Sequence, residues 1–279
     1  MATLQSGFAI VTPASRGLGF AFAQQLLEYT NLPIVASARQ DCDGVRSRLL
    51  ESAKSSEAAG AEKRLTVYEV DVTDESSISE MSSNIRSLYP DTPLRLAITV
   101  PGILHVEKSP SQINATNALD SFKVNALGPM LLIKHLSQFL PAKSMSPFQD
   151  NVTQENSLNP PFHLPSHSIY AMMAARVGST SDNASGGWYS YRASKASVYQ
   201  LAKTFDLYLR TRSKERAMAI AMHPGTVKTD FTRNYWSGRV MLSPEESAER
   251  MLRVMCGMGS GVDEGRGRCW DYRGEEVLP

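Results

Sequence analysis

Short apolar runs alternate with longer amphipathic stretches from one end of this chain to the other, and no other feature restricts the fold so strongly. Runs of strand length occur at 8–12, 33–38, 65–70, 94–100, 168–174, 217–222 and 268–270. Between them, apolar residues recur at three- and four-residue spacing over 17–29, 45–59, 76–89, 118–140, 191–212 and 244–257. Strands apolar on both faces and separated by helices are those of a parallel sheet covered on both sides. The expected fold is therefore α/β, a doubly wound parallel sheet of about seven strands flanked by helices. The stretch 141–165 breaks the rhythm with Pro, Ser, Asn and Gln and reads as an inserted surface loop. With 279 residues, one domain spanning 1–279 is expected.

Composition narrows the range of functions. The formal net charge is +1 with both signs spread along the chain, so neither a nucleic-acid footprint nor a basic membrane patch is expected. The three cysteines, Cys42, Cys256 and Cys269, are too far apart for a metal knuckle and odd in number for a disulfide framework; no metal is expected. No run reaches the roughly 18 apolar residues of a membrane span, and the stretch from Met1 to Phe8 carries no basic segment followed by an apolar h-region. The expectation is a cytoplasmic protein with a small-molecule partner. The Asn-x-Ser/Thr matches at Asn114, Asn151 and Asn183 are then chance occurrences.

The first strand ends in Thr12-Pro13-Ala14-Ser15-Arg16-Gly17-Leu18-Gly19 and runs directly into a helix. A glycine turn there lets backbone N–H groups and the helix N-terminus meet a pyrophosphate. At the end of the second strand, a site for NAD places an acidic residue against the ribose hydroxyls. This chain has Arg39 instead, with Arg16 in the glycine loop. Both can fork onto a 2′-phosphate, so NADPH/NADP is preferred over NAD.

Tyr191 and Lys195 stand four apart at the start of the helix at 191–212, on one helical face. An ammonium one turn away is expected to draw the phenol pKa down toward the working range of an acid–base group. Tyr189 has Ala193 four residues on and is assigned to packing or pocket lining.

Together these segments resemble the short-chain dehydrogenase/reductase family, whose Rossmann-like fold the chain is expected to share over nearly its whole length. The resemblance implies a catalytic role for Tyr191 and Lys195 and assigns Asn125, in Val124-Asn125-Ala126, to a proton relay through an ordered water. It implies cofactor contacts from Thr12, Ser15, Arg16, Gly17, Leu18, Gly19 and Arg39, from Asp71 and Val72 beside the adenine, and from Gly102. Further contacts are implied from Tyr191 and Lys195 and from Pro224, Gly225, Val227 and Thr229, in His223-Pro224-Gly225-Thr226-Val227-Lys228-Thr229, around the nicotinamide carboxamide. His223 is expected to be a strand-end residue. Homodimers or homotetramers pairing through the helices of Asn125 and Lys195 are implied in the same way.

The chain departs from the family in three places. Pro13 replaces the first glycine, Thr99-Val100-Pro101-Gly102 replaces Asn-Asn-Ala-Gly, and the substrate-binding serine falls on Ala175, beside Ala174. Ser179, Thr180 and Ser181 are candidates to supply the lost hydroxyl. The expected function is reduction of a carbonyl, or oxidation of the alcohol, of a small apolar metabolite. The alanines leave open non-redox chemistry on the same fold (isomerase, dehydratase or cyclase), and the three departures together leave open a catalytically silent binding protein. Specificity is expected from 141–165 and 231–241, the latter with Tyr235 and Trp236.

Overall fold

The computed structural model describes residues 6–53, 58–149, 160–232 and 241–279. Among them, seven strands form one all-parallel sheet: β1 (Phe8–Thr12), β2 (Ile34–Ala38), β3 (Leu65–Glu69), β4 (Leu94–Thr99), β5 (Ser168–Met173), β6 (Ala217–His223) and β7 (Cys269–Asp271), in the order β3-β2-β1-β4-β5-β6-β7. The expected doubly wound sheet is present, with each strand within about a residue of its predicted bounds. The progression of strand order reverses between β1 and β4, the place where such sheets open a crevice at their carboxyl ends.

The period-two alternation of strand side chains divides the core into two layers. Ala9, Val11, Ile34, Ala36, Leu96, Ile98, Ile169 and Ile220 face one side, packed by α1 (Gly17–Tyr29), α2 (Cys42–Ser52) and α8 (Pro244–Cys256). Phe8, Ile10, Val35, Leu94, Ala97, Tyr170, Met172 and Ala219 face the other, under α4 (Glu75–Leu88), α6 (Gly128–Leu136) and α7 (Tyr189–Arg212).

Two expected helices are interrupted. The stretch 45–59 divides into α2 and α3 (Ala58–Arg64), and residues 54–57 lie outside the described residues. The stretch 118–140 is α5 (Ala115–Phe122), a π-turn at Lys123–Leu127, α6, and a final 3-10 turn at Ser137–Phe139. Buried Asn125 stands at the centre of the π-turn. Of the expected insertion, 150–159 falls outside the described residues; its flanks are fastened by Arg95, which is 1% exposed. The Arg95 guanidinium donates to the carbonyls of Gln149, Leu164, Pro165 and Ser6, and Phe148 N–H bonds the Ser166 carbonyl. No helix among the described residues is long and apolar enough to cross a membrane.

Candidate active site

Strand register gathers Thr12, Thr99 and Met172 along the carboxyl edge of the sheet, and the predicted residues surround this edge. Lys195, 3% exposed on α7, directs its Nζ to the carbonyls of Met173 at 2.8 Å and Pro101 at 3.3 Å. Two of its three N–H donors are thereby engaged. Burial lowers its pKa to about 8. Gly102 lies against this ammonium: a Cβ built there would fall 3.5 Å from Lys195 Nζ and 3.8 Å from Asn125 Oδ1.

Asn125 is fully buried and satisfied on both sides of its amide. Its Oδ1 accepts the Ile103 N–H at 2.8 Å, and its Nδ2 donates to the Ile103 carbonyl and to Ser194 Oγ, each at 2.9 Å. Ser194 Oγ donates in turn to the Tyr191 carbonyl. The asparagine thus ties the loop after β4 to the turn of α7 that carries Tyr191, which gives a polar residue in an apolar helix its reason.

Tyr191 is 6% exposed and one helical turn from Lys195. Its ring meets Trp188 (centroids 6.1 Å apart) and Phe231 (5.9 Å). The sequence led to a lowered phenol pKa, but the structure gives the opposite sign: burial pushes Tyr191 above the usual tyrosine value. The Lys195 ammonium is turned to backbone carbonyls, so desolvation of the phenolate prevails.

At the phosphate loop, Gly17 adopts φ +56 and a Cβ there would touch Thr229 Cγ2 at 3.4 Å; the glycine loop and the turn after β6 are neighbours. A Cβ at Gly19 would fall 1.9 Å from the Pro13 carbonyl oxygen, so Gly19 permits α1 to pack against the loop. The loop is braced by Ala14 N–H to the Ser37 carbonyl and by the Thr12 and Ser37 hydroxyls at 2.6 Å. Arg16, the N-cap of α1, provides no side-chain cap, and the first turn has no acid. Arg16 and Arg39 are exposed and form no ion pair among the described residues. Ser15 accepts from Arg48 through its carbonyl, and Leu18 packs on the core.

Asp71 uses Oδ1 to accept from the N–H and hydroxyl of Thr73, while Asp74 caps α4; cap and candidate adenine residue are separate. Val72 packs on Gly128 of α6. In the turn after β6, Pro224 accepts from Ser247, Gly225 (φ +77) lies against Tyr272, Val227 bridges Leu242, and Thr229 N–H bonds Thr232. His223 ends β6, its Nδ1 accepting the Arg176 N–H. Burial, aided by the Arg176 charge, lowers its pKa to about 4.

A family model for short chain dehydrogenases matches residues 7–146, half of the chain. The chain belongs to this family. Over 82 residues it is 37% identical to the 1-hydroxy-2-glutathionyl-2-methyl-3-butene dehydrogenase of Rhodococcus sp. (strain AD45), a match covering 29% of this chain and 35% of that dehydrogenase. C-signal of Myxococcus xanthus is 28% identical over 66% of this chain and 92% of its own. Among solved structures, an NADPH-bound carbonyl reductase from chicken fatty liver superposes with a TM-score of 0.76 at 24% identity, covering 99% of this chain and 100% of that one. That likeness is one of fold.

The position where the resemblance implies a substrate-binding serine is apolar in this chain. Ala174 is 2% exposed and joins the core layer of Val198 and Tyr199 of α7, whereas Ala175 bonds the Tyr199 hydroxyl through its carbonyl. The candidate replacements are engaged elsewhere: Ser179 Oγ accepts the Asp182 N–H, Ser181 Oγ donates to the Pro279 carbonyl, and Thr180 is exposed. Of the expected specificity elements, Tyr235 and Trp236 lie outside the described residues.

Phe231, the first residue of the expected specificity stretch 231–241, lies against Tyr191; not anticipated from sequence are Ser194, Trp188 and Glu107. Glu107 is a buried carboxylate bonded to Ser190, immediately before Tyr191. It stands in an aperiodic loop 83 residues upstream of its partner, beyond the reach of any local pattern.

Proposed function

We propose that this short chain dehydrogenase is a cytosolic NADPH-dependent oxidoreductase that reduces the carbonyl, or oxidises the alcohol, of a small apolar metabolite. The observation that carries the reading is the convergence of Tyr191, Lys195, Asn125 and Gly102 at the carboxyl edge of β4 and β5, beside a glycine loop and an uncapped helix start.

The residues present fit a dinucleotide. The first-turn N–H groups of α1, with no acid or side-chain cap competing, suit a pyrophosphate, lined by Thr12, Ser15, Gly17, Leu18 and Gly19. Arg16 and Arg39 suit a 2′-phosphate. Asp71 and Val72 would border the adenine, and Gly102, Pro224, Gly225, Val227 and Thr229 the nicotinamide half. When bound, the reduced cofactor supplies hydride to the carbonyl carbon.

Tyr191, held protonated by burial, donates its phenolic proton to the carbonyl oxygen. Lys195 has one N–H beyond its two carbonyl acceptors, which suits a ribose hydroxyl. Asn125 fixes the loop bearing Gly102 to the Tyr191 turn. The enzyme is further proposed to self-associate through α5, α6 and α7.

The test is titration of NADPH and NADH by cofactor fluorescence, followed by a carbonyl screen read at the nicotinamide absorbance band. Tighter binding of NADPH, with oxidation of one NADPH per carbonyl reduced, is expected. Tyr191→Phe is expected to lower kcat by about 10²–10⁴ with NADPH affinity retained. Activity should also fall as pH rises through about 8, where Lys195 loses its charge. Binding of neither nucleotide would overturn the reading, and turnover without nicotinamide oxidation would assign the site to non-redox chemistry.

A further inference from the structure

The start of α7 is built against backbone preference. Gly186, Gly187 and Trp188 follow one another at φ +62, +66 and +50. Glycine enters this left-handed region freely, but a bulky residue there brings its Cβ against the following carbonyl and persists only where the surroundings enforce it.

The enforcement comes from the loop after β4. The Trp188 N–H donates to the Glu107 carbonyl at 2.6 Å. The Glu107 carboxylate, 2% exposed, accepts from Ser190 twice, from its N–H at 2.7 Å and its Oγ at 2.9 Å. Trp188 offers no side-chain cap and the first turn of α7 has no acid of its own, so Glu107 supplies the negative charge favoured at a helix start. Arg192 closes the other side of the turn, its Nε donating to the carbonyls of Gly186 and Gly187.

This clamp determines where the indole lies. The half-buried Trp188 ring meets Tyr191 at 69° and 6.1 Å, and Phe231, 36% exposed, meets it at 54° and 5.9 Å. Among the described residues the phenol is thus bordered by two aromatic side chains that both retain solvent-accessible surface, and Ala174 and Ala175 offer no hydroxyl where the resemblance implies a serine. Such walls gain most from a flat apolar partner.

We infer that Trp188, with Phe231, forms an aromatic wall selecting flat aromatic carbonyl substrates, and that Glu107 is the positioning residue that holds this wall beside Tyr191. The inference rests on the role proposed for Tyr191 above. Specificity on this view depends on a strained residue of the chain's own backbone and on a carboxylate that never touches the substrate.

The experiment uses the full chain with 2-naphthaldehyde and butanal, which share a reacting group, and measures binding of 2-naphthylmethanol by calorimetry independently of turnover. Wild type is expected to prefer 2-naphthaldehyde in kcat/KM. Trp188→Ala should reduce that preference at least about tenfold, mainly through KM, and weaken 2-naphthylmethanol to match, since loss of one aromatic contact of this kind removes about a factor of ten. Trp188→Phe should restore most of both.

Glu107→Ala should reproduce the loss of preference while Glu107→Gln, which keeps an acceptor for the Ser190 N–H, should retain more than half of it. If Glu107→Ala does not fold, Ser190→Ala removes one of the two bonds and should show the same direction. Trp188→Gly should melt above Trp188→Ala, because both lack the ring and only glycine is at ease at this φ. An unchanged substrate ratio with unchanged 2-naphthylmethanol binding in Trp188→Ala overturns the wall, and unchanged values in folded Glu107→Ala overturn the clamp. If wild type reduces neither aldehyde, the redox reading fails and the calorimetric comparison still decides the wall.

Discussion

At the scale of single residues, the decisive position is the one where the resemblance implies a substrate-binding serine and this chain has alanine. Loss of one preorganised donor costs about 10²–10³ in rate. Ala174 shares the core layer of α7, whereas Ala175 has its carbonyl taken by Tyr199. The Tyr199 bond uses only the Ala175 carbonyl and leaves its side chain free, so Ala175→Ser, at the position where the resemblance places the serine, is expected to raise kcat on a simple aldehyde by about 10–10²-fold, and Ala174→Ser, in the core layer, by less, measured as NADPH oxidation at saturating substrate. No gain from either would mean that the reacting oxygen does not lie beside β5.

Among the elements, α7 matters most, because it carries Tyr191 near its start and a buried ion network fifteen residues on. Asp206, fully buried, accepts from Arg266 Nε through both carboxylate oxygens, from Arg210 Nε, and from the Ala219 N–H on β6. Arg266, 2% exposed, also donates to the carbonyls of Lys214, Ala217 and Ser260. Removing one charge of such a network strands the other and costs about 3–5 kcal/mol. Asp206→Asn is expected to lower the Tm by roughly 10 °C while kcat at 15 °C stays within about twofold, since the Tyr191 turn is anchored separately by Asn125 and Glu107. A kcat loss as large as that of Tyr191→Phe would mean that the network transmits to the site. The same helix separates what sequence can reveal from what it cannot. The pairing of Tyr191 with Lys195 was legible because both lie one turn apart on a periodic segment, and α1 and the seven strands were legible because burial on one or both faces writes a regular pattern. The π-turn at Asn125 was not, since the partners of its buried amide, Ile103 and Ser194, lie far off in sequence, and neither was the sign of the Tyr191 shift, which depends on where the Lys195 ammonium points. Glu107 was illegible for the same reason: its meaning comes from Ser190, brought near only by the closed sheet.

For the whole molecule, one surface remains to be accounted for. Leu119, Phe122, Leu127 and Met130 along α5, the π-turn and α6 are 42–55% exposed, and Leu207 and Tyr208 on α7 are 49% and 53% exposed. Isolated exposed apolar residues need no explanation, but several along consecutive turns of one helical run would suit the self-association proposed above. These are also the elements that carry Asn125 and Lys195, so a partner seated there would brace the π-turn and α7 from outside while leaving the cofactor crevice at the strand ends open. Light scattering coupled to size exclusion is expected to give a dimer or tetramer, and the pair Leu119→Glu with Met130→Glu should convert it to monomer by burying two charges in an apolar contact. The monomer should also show weaker NADPH binding, because the loop holding Gly102 is fixed by Asn125 from that same helical run. A wild-type chain that elutes as a monomer at micromolar concentration would refute the interface, and a monomeric double variant with undiminished NADPH affinity would refute the bracing.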